Sequence, residues 1–199
     1  MHLTEENINK DPYKQLKNWL DEARNLGLKN PNAMNLATAS KDGLPSSRMV
    51  LLKSFDKNGF VFYTNYKSRK AKEIIDNPVV SLNFFWDALE RQVQVEGKIR
   101  KIDSKISDEY FKSRDRISQL GAHASDQSKI IEDYEVITKK LIELENTYKD
   151  KEIPRPSNWG GFLVIPEAIE FWQSHEGRLH DRLKFFKDNS SWIIKRLSP

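Results

Sequence analysis

Two segments of the chain combine basic side chains with hydroxyl groups, a pattern typical of phosphate binding. Ser68 to Lys70 follows a polar loop, and Ser68 is placed to begin a helix whose N-terminus would attract an anion. Tyr110, Arg114 and Ser118 recur every four residues, so on a helix they would share one face and could hold a phosphate. Solvated cations on ordinary helix surfaces remain the alternative for both segments.

A third segment places two cations around an apolar stretch, between Arg48 and Lys53. On an ideal strand these two side chains point to opposite faces, because successive side chains alternate. They could serve one site only with a twist, a bulge or a second subunit; otherwise the segment is a buried strand with charged ends. Gln92 begins another strand, and its amide can both donate and accept hydrogen bonds.

The segment from Phe171 to Arg182 holds two arginines, two histidines and a tryptophan in twelve residues. Arg178 and His180 alternate with Leu179, so both would face one cavity if the segment is extended. Asp181 could simply pair with an arginine. So many side chains that are costly to desolvate or to expose, close to a predicted hairpin, nevertheless favour a functional site over a solvated loop.

The elements that would position these groups are mostly short strands. Asp11 is a plausible N-cap with Pro12 at the first helical position, and Gly27 ends that helix. Further helices are predicted at 68–76 and over most of 104–149, where one apolar face runs from Ile130 to Tyr148. Strands are predicted at 33–40, 47–55, 59–64, 79–85, 92–102, 161–173, 182–187 and 191–197. This order predicts an α+β, mainly antiparallel β fold: a small barrel with surrounding helices.

Composition excludes several classes of protein. The chain has no cysteine, which excludes disulfides, thiolate metal sites and a cysteine nucleophile, and no other group of residues has convincing metal spacing. The net charge of +4 is too small to indicate a nucleic-acid partner. No apolar run approaches the length of a membrane span, and the polar start is unlike a signal peptide. We therefore expect a cytoplasmic protein without metal, nucleic-acid or membrane partners.

Taken together, the motifs closely resemble the pyridoxine/pyridoxamine 5′-phosphate oxidase family. The resemblance runs from about residue 11 to residue 199, in the order RMVLLK, FYTNYKSRKA, NPVVSLNFFW, ERQVQVEGK, YFKSRDRISQLGAHASDQS, PSNWGGF, IEFWQ, RLHDR and RLSP. It implies a single FMN-binding split β-barrel domain over 1–199. Residues 1–10 are expected to be flexible, and the strands of 161–199 are expected to complete the active site. It also implies a homodimer with two FMN sites at the subunit interface.

The resemblance assigns roles to individual residues. Arg178 and His180 would be catalytic, lying beside the substrate's pyridine ring, and the substrate phosphate would lie near Lys53, Tyr110, Arg114 and Ser118. The residues implied for FMN are Arg48, Met49, Val50, Leu51, Lys53, Leu52, Tyr63, Thr64, Arg69, Lys70, Gln92, Gln127, Ser128, Trp172 and Arg182.

The reaction implied is oxidation of pyridoxamine 5′-phosphate or pyridoxine 5′-phosphate to pyridoxal 5′-phosphate, with oxygen as acceptor and hydrogen peroxide as product. Two alternatives stay open. A flavin reductase on the same barrel would keep FMN without needing the Tyr110, Arg114 and Ser118 cradle. A non-catalytic flavin or pyridoxal-phosphate binding protein would suit the short N-terminal segment.

Overall fold

The structure is a computed structural model that describes residues 2–199; Met1 lies outside the described residues. Helices α1 to α5 are Pro12–Asn25, Arg69–Asp76, Ser104–Lys112, Arg116–Ala124 and Glu135–Thr147. Strands β1 to β9 are Ala33–Ala39, Pro45–Leu51, Ser54–Asp56, Gly59–Asn65, Val79–Trp86, Arg91–Lys101, Trp159–Gln173, Asp181–Asp188 and Ser191–Arg196. The predicted α+β class with mainly antiparallel strands is confirmed. No helix within residues 2–199 is long and apolar enough to span a bilayer.

The order of the strands explains why the sheet curls into a barrel. Seven strands of the nine-stranded sheet run in the order β2-β1-β5-β6-β7-β4-β3, and β8 and β9 branch from β7; the strands at the two ends of this path, β2 and β3, are consecutive in the chain. Leu52 and Lys53 alone join them, and such a link bridges only about 10 Å. The edges must therefore approach each other, and the Lys53 amide donates to the Val61 carbonyl of β4 at 2.9 Å. The sequence predicted one strand over 47–55; the structure breaks it at this seam.

Strand β7, with 15 residues, pairs with three other strands and connects the main path of the sheet to the β8–β9 branch. It pairs with β6 along most of its length, with β4 over Trp159–Val164 and with β8 over Ala168–Gln173. A bulge between Glu96 and Gly97 bends β6 against it, where a side chain at Gly97 would collide with the Ile165 carbonyl. Each end of β7 therefore lies beside a segment in which the sequence predicted functional residues.

Helix α1 packs its apolar face against the barrel core. Leu16, Leu20 and Ala23 are fully buried, and Trp19 meets Phe171 edge-on with ring centroids 5.2 Å apart. Burial of each large apolar side chain contributes about 1.5–3 kcal/mol. Asp11 accepts hydrogen bonds from the first-turn amides, which confirms the predicted helix start.

The region 104–149 is less continuous than its apolar pattern predicted. Three helices form, and the last begins only at Glu135, whose amide is held by the Asp133 side chain at 2.9 Å. Ile130 is fully exposed before the helix, and Tyr134 is its N-cap residue with an exposed ring. The predicted face from Ile130 to Tyr148 was therefore wrong at its first two positions, because the helix begins after both of them, with Tyr134 as its N-cap residue.

The N-terminal segment packs onto the barrel in the structure, whereas the sequence predicted a flexible segment over 1–10. Leu3 and Ile8 are buried in the main core. The Leu3 amide donates to Asp181 Oδ2 at 2.8 Å, and His2 Nδ1 lies 3.0 Å from the same oxygen. Buried apolar contacts and these hydrogen bonds give the segment a defined position beside β8.

Candidate active site

A cavity of about 790 Å³ opens beside the seam of the barrel, between β2, β4 and the helices α3 and α4. This volume lies within the range of ligand pockets. Eleven of the predicted site residues line it: Met49, Val50, Leu51, Lys53, Tyr63, Thr64, Lys70, Tyr110, Arg114, Ser118 and Gln127. Sequence reasoning gave no role to several other lining residues, among them Asn65, Ser113, Asp115, Ser125 and Trp159.

Lys70 forms one cationic corner of this cavity. It lies in the first turn of α2, and its Nζ donates to Gln127 Oε1 at 3.0 Å and to Thr64 Oγ1 at 3.2 Å. Burial lowers the pKa of Lys70 to about 8, and the charge of Arg48 adds to the effect. All three contacts of this ammonium, counting Ser68 Oγ at 3.5 Å, are to neutral oxygens, so an anion bound at the corner would raise the pKa of Lys70 again.

Arg48 and Arg69 point to a different feature, the carboxylate of Glu73. Arg69 Nε lies 2.8 Å from Glu73 Oε1, and Arg48 Nη2 lies 3.3 Å from Oε2. Burial raises the pKa of Glu73, but hydrogen bonds from Ser46, Thr38 and Arg69 outweigh it and lower the pKa to about 2. Glu73 is therefore ionised and pairs with both cations. Neither arginine lines the cavity in this single chain, and Leu52 belongs to the core.

The opposite wall is built around a break between α3 and α4. Tyr110 lies in the last turn of α3, Arg114 in the link, and Ser118 in the first turn of α4. The prediction that these three share one helix face was wrong. Asp115 is the N-cap of α4 and accepts from the Ser118 amide at 2.7 Å, so a new helix begins there. The resulting bend still brings all three side chains to the cavity.

Arg114 brings a buried donor to the wall of the cavity. Its Nη1 atom is buried and has no hydrogen-bond partner within residues 2–199. The guanidinium carbon lies 4.6 Å from the centroid of the Trp159 ring and 5.6 Å from that of Phe111. Burial lowers the pKa of Arg114, while Tyr110 and Asp115 oppose that effect. This wall therefore offers a half-buried cation with one unpaired donor.

The remaining predicted residues gather at the other end of β7. Gln92, Trp172 and Arg182 form a row across β6, β7 and β8, because Trp172 is paired with both of the others. The His180 ring lies 4.6 Å from the Trp172 ring. None of these residues, nor Arg178, lines the 790 Å³ cavity of the single chain.

The turn before β8 differs from the extended segment that the sequence considered. Glu176–Arg178 is a short 3₁₀ turn, so Arg178 and His180 do not alternate along a strand. Arg178 has a φ of 61°, in the left-handed region that residues other than glycine seldom adopt. Ser128, beside Gln127, has a φ of 73°. Such strained residues are concentrated at functional sites.

Asp181 is held by groups from three segments. It accepts from the Leu3 amide, lies 2.7 Å from His175 Nε2 and pairs with Arg196 at 3.0 Å. Burial raises the pKa of Asp181, but the hydrogen bonds from Leu3, His175 and His2 lower it overall. The sequence allowed a pair with a nearby arginine; the structure supplies Arg196.

Arg182 is instead paired with Glu170, whose Oε1 lies 2.7 Å from its Nε. Its Nη1 also donates to the Ser198 carbonyl at 3.1 Å. The ion pair with Glu170 holds the Arg182 guanidinium in place beside Trp172. Asp181 and Arg182 therefore belong to separate ion pairs.

Comparisons with known proteins cover nearly the whole chain. A family model described as pyridoxamine 5′-phosphate oxidase matches residues 20–148, and one described as the pyridoxine 5′-phosphate oxidase C-terminal dimerisation region matches residues 159–199. A pyridoxine/pyridoxamine 5′-phosphate oxidase from Rubrobacter xylanophilus is 51% identical over 197 residues, covering 99% of this chain and 91% of that protein. The protein of the same name from Gloeothece citriformis is 50% identical over 198 residues, covering 99% and 92%.

Solved structures show the same fold. PhzG from Burkholderia lata 383, in complex with tetrahydrophenazine-1-carboxylic acid, superposes with a TM-score of 0.92 at 29% identity, covering 99% of this chain and 98% of that one. A pyridoxamine 5′-phosphate oxidase-related, FMN-binding protein from Nostoc punctiforme has a TM-score of 0.74 at 16% identity, over the full length of both chains. With both family models and relatives of about 50% identity in agreement, this chain belongs to the pyridoxine/pyridoxamine 5′-phosphate oxidase family of enzymes.

Proposed function

We propose that the protein is an FMN-dependent oxidase that converts pyridoxamine 5′-phosphate and pyridoxine 5′-phosphate to pyridoxal 5′-phosphate, with oxygen as electron acceptor and hydrogen peroxide as product. The observation that carries the proposal is the buried Nη1 of Arg114, a free donor in a cavity that has a second cation at Lys70. Two phosphate-bearing ligands need two such sites, and charge-assisted hydrogen bonds to phosphate are strong.

The Lys70 corner fits the phosphate of FMN. Lys70, Thr64 and Gln127 already form a hydrogen-bonded group at the start of α2, where the helix dipole also favours an anion. Arg48, Arg69 and the other residues implied by the family would complete the FMN site. FMN, when bound, supplies the two-electron oxidation at the substrate's C4′ group and passes the electrons to oxygen.

The Arg114 wall fits the substrate phosphate. Tyr110 and Ser118 bring hydroxyl groups to the same side of the cavity, and Lys53 lies near, with its Nζ 5.8 Å from the Tyr110 ring centroid. Arg178 and His180 would orient the pyridine ring and stabilise charge near C4′, so that no strong protein base is required.

A homodimer explains how both ends of β7 can serve one site. In a single chain the Trp172 row and Arg178 do not line the cavity. A two-fold symmetric partner can present that same segment to the cavity of the first chain. The match of residues 159–199 to a dimerisation region supports this arrangement.

Spectra and turnover of the purified protein test the proposal together. We expect a yellow, dimeric protein that binds FMN much more tightly than riboflavin and forms pyridoxal 5′-phosphate and peroxide from both phosphorylated vitamers. Bound flavin without aldehyde formation would favour the binding-protein alternative. Flavin reduction by a nicotinamide donor, without oxidation of either vitamer, would favour the reductase.

A further inference from the structure

The charge of Arg114 is supported by aromatic rings. Trp159 and Phe111 both present their faces to the guanidinium, and Trp159 is the nearer, at 4.6 Å. The acidic neighbour, Asp115, uses its Oδ1 to cap α4. A guanidinium over the face of a desolvated indole is stabilised by the ring quadrupole.

An aromatic partner has a consequence that a carboxylate partner would not have. A carboxylate would occupy the N–H donors of the guanidinium and neutralise its charge. A ring face holds the cation in place without using its in-plane donors, and the buried Nη1 of Arg114 has no hydrogen-bond partner within residues 2–199. The arrangement keeps both charge and hydrogen bonds for an incoming dianion.

Trp159 itself is firmly placed. It is the first residue of β7, where it is paired with Asn65, and its amide donates to the Pro156 carbonyl at 3.0 Å. Its ring is buried and stacks on Tyr63, with centroids 5.4 Å apart and planes within 9°. A side chain at the next residue, Gly160, would collide with the Tyr66 hydroxyl, so the backbone here packs closely against the Tyr66 ring.

We infer that Trp159 is the positioning residue that orients Arg114 towards the substrate phosphate, and that it thereby sets the preference for phosphorylated over unphosphorylated vitamers. This inference rests on the proposed function, because it takes Arg114 as the phosphate ligand. Trp159 acts through Arg114 and takes no part in the oxidation, so its removal should weaken binding of the phosphate and leave the chemical step intact.

Steady-state kinetics of Trp159→Leu and Trp159→Phe with pyridoxamine 5′-phosphate and with unphosphorylated pyridoxamine test the inference. For Trp159→Leu we expect KM for the phosphorylated vitamer, and the inhibition constant of inorganic phosphate, to rise roughly tenfold with little change in kcat. Trp159→Phe keeps a ring face and should show a smaller rise. The value of kcat/KM for pyridoxamine should fall much less than that for pyridoxamine 5′-phosphate in both variants, because pyridoxamine has no phosphate for Arg114 to bind.

Two controls separate positioning from general damage. Ile153→Ala removes a side chain from the same small core cluster without removing a ring from Arg114, and should leave the phosphate preference intact. In an Arg114→Ala background, Trp159→Leu should cause no further rise in KM, because the group on which it acts is gone. Equal losses for both vitamers, or an undiminished effect in that background, would overturn the inference.

The outcome also distinguishes this inference from the proposed function. If the wild-type protein binds pyridoxal 5′-phosphate but oxidises neither vitamer, the proposed function fails, and calorimetric titration of the same variants with that ligand still tests Trp159. If Trp159→Leu does not fold, Trp159→Phe must by itself weaken phosphate binding. Wild-type protein that binds neither inorganic phosphate nor pyridoxal 5′-phosphate would overturn both.

Discussion

At the scale of single residues, Arg178 and Arg182 have different surroundings although they are close in the chain. Arg182 is paired with Glu170 beside Trp172, whereas Arg178 lies in a strained turn. We expect Arg178→Ala to lower kcat/KM severely with a normal flavin spectrum, His180→Ala to act more mildly, and Arg182→Ala to reduce FMN retention. Flavin content, melting temperature and single-turnover flavin reduction check this.

Measurements of thermal stability distinguish this prediction from a purely structural role for the three residues. If the three residues only maintain the fold, all three variants would lose melting temperature in parallel and none would change the reduction rate of the protein that remains folded. Arg178→Lys, which keeps the charge, is the matched control. A normal reduction rate in stable Arg178→Ala protein would remove Arg178 from the catalytic residues.

The lowered pKa of Lys70 leads us to expect that FMN binding depends on pH. Its pKa falls from an ordinary value of 10.5 to about 8 in the folded protein, because burial disfavours the charged amine. Below pH 8 the folded apoprotein bears the penalty of a buried ammonium; between about pH 8 and 10.5 it sheds the proton that the unfolded chain keeps. Lys70 therefore makes the apoprotein more stable as pH rises through that window.

FMN binding should change in the opposite direction. The phosphate needs the charged amine, so the dissociation constant measured by flavin fluorescence should rise above about pH 8. Lys70→Met should bind FMN weakly at every pH and lose this dependence. A wild-type affinity that stays flat from pH 7 to 9.5 would contradict the assignment of Lys70 to the FMN phosphate.

The sequence named most of the residues of the cavity but not their partners. The pairing of Arg48 with Glu73 joins strand β2 to helix α2, and no local pattern connects residues so distant in the chain. Trp159 was visible only as part of the PSNWGGF motif, where an isolated tryptophan fits a core as well as a site. Its role depends on Arg114, which reaches it only after the chain has folded.

At the scale of elements, the break between α3 and α4 shapes the wall that we propose for the substrate phosphate. Asp115 caps α4 through the Ser118 amide. Asp115→Ala should lower the melting temperature and raise KM for phosphorylated vitamers, because α4 would begin less regularly and Ser118 would lose its position. Asp115→Asn keeps a capping oxygen and should stay close to wild type. Thermal unfolding and kinetics of both variants test this, and equal behaviour of the two would contradict it.

Strand periodicity predicted the sheet well, because alternation reports directly which face is buried. Residues 92–102 were expected to form a strand, and β6 is Arg91–Lys101. Helix boundaries were harder to predict. The four-residue spacing of Tyr110, Arg114 and Ser118 is compatible with one continuous helix. The structure has two helices instead, because the Asp115 side chain caps the start of α4.

At the scale of the whole molecule, the division of the proposed site between the two ends of β7 predicts complementation between subunits. If each site takes its Arg114 wall from one chain and Arg178 from the other, a heterodimer of Arg114→Ala and Arg178→Ala chains has one site with both changes and one with neither. Such a dimer should recover about half of the wild-type kcat/KM, although kcat/KM is strongly reduced in each parent homodimer.

Co-expression with two different affinity tags isolates the mixed dimer for this assay. Arg114→Ala paired with a wild-type chain is the control, since it also leaves one site intact. A mixed dimer no more active than its parents would place Arg178 and Arg114 in the same chain's site.

The free donor of Arg114 also links binding to thermal stability. A buried N–H group without a partner destabilises the folded state, so the ligand-free protein carries a defect at its own binding site. Arg114→Met, an apolar side chain of similar length, should therefore melt at a higher temperature than wild type while losing affinity for phosphate. A phosphorylated ligand should raise the melting temperature of the wild type and not that of the variant. If Arg114 binds the substrate phosphate as proposed, the residue that recognises the ligand is also one that lowers the stability of the ligand-free fold.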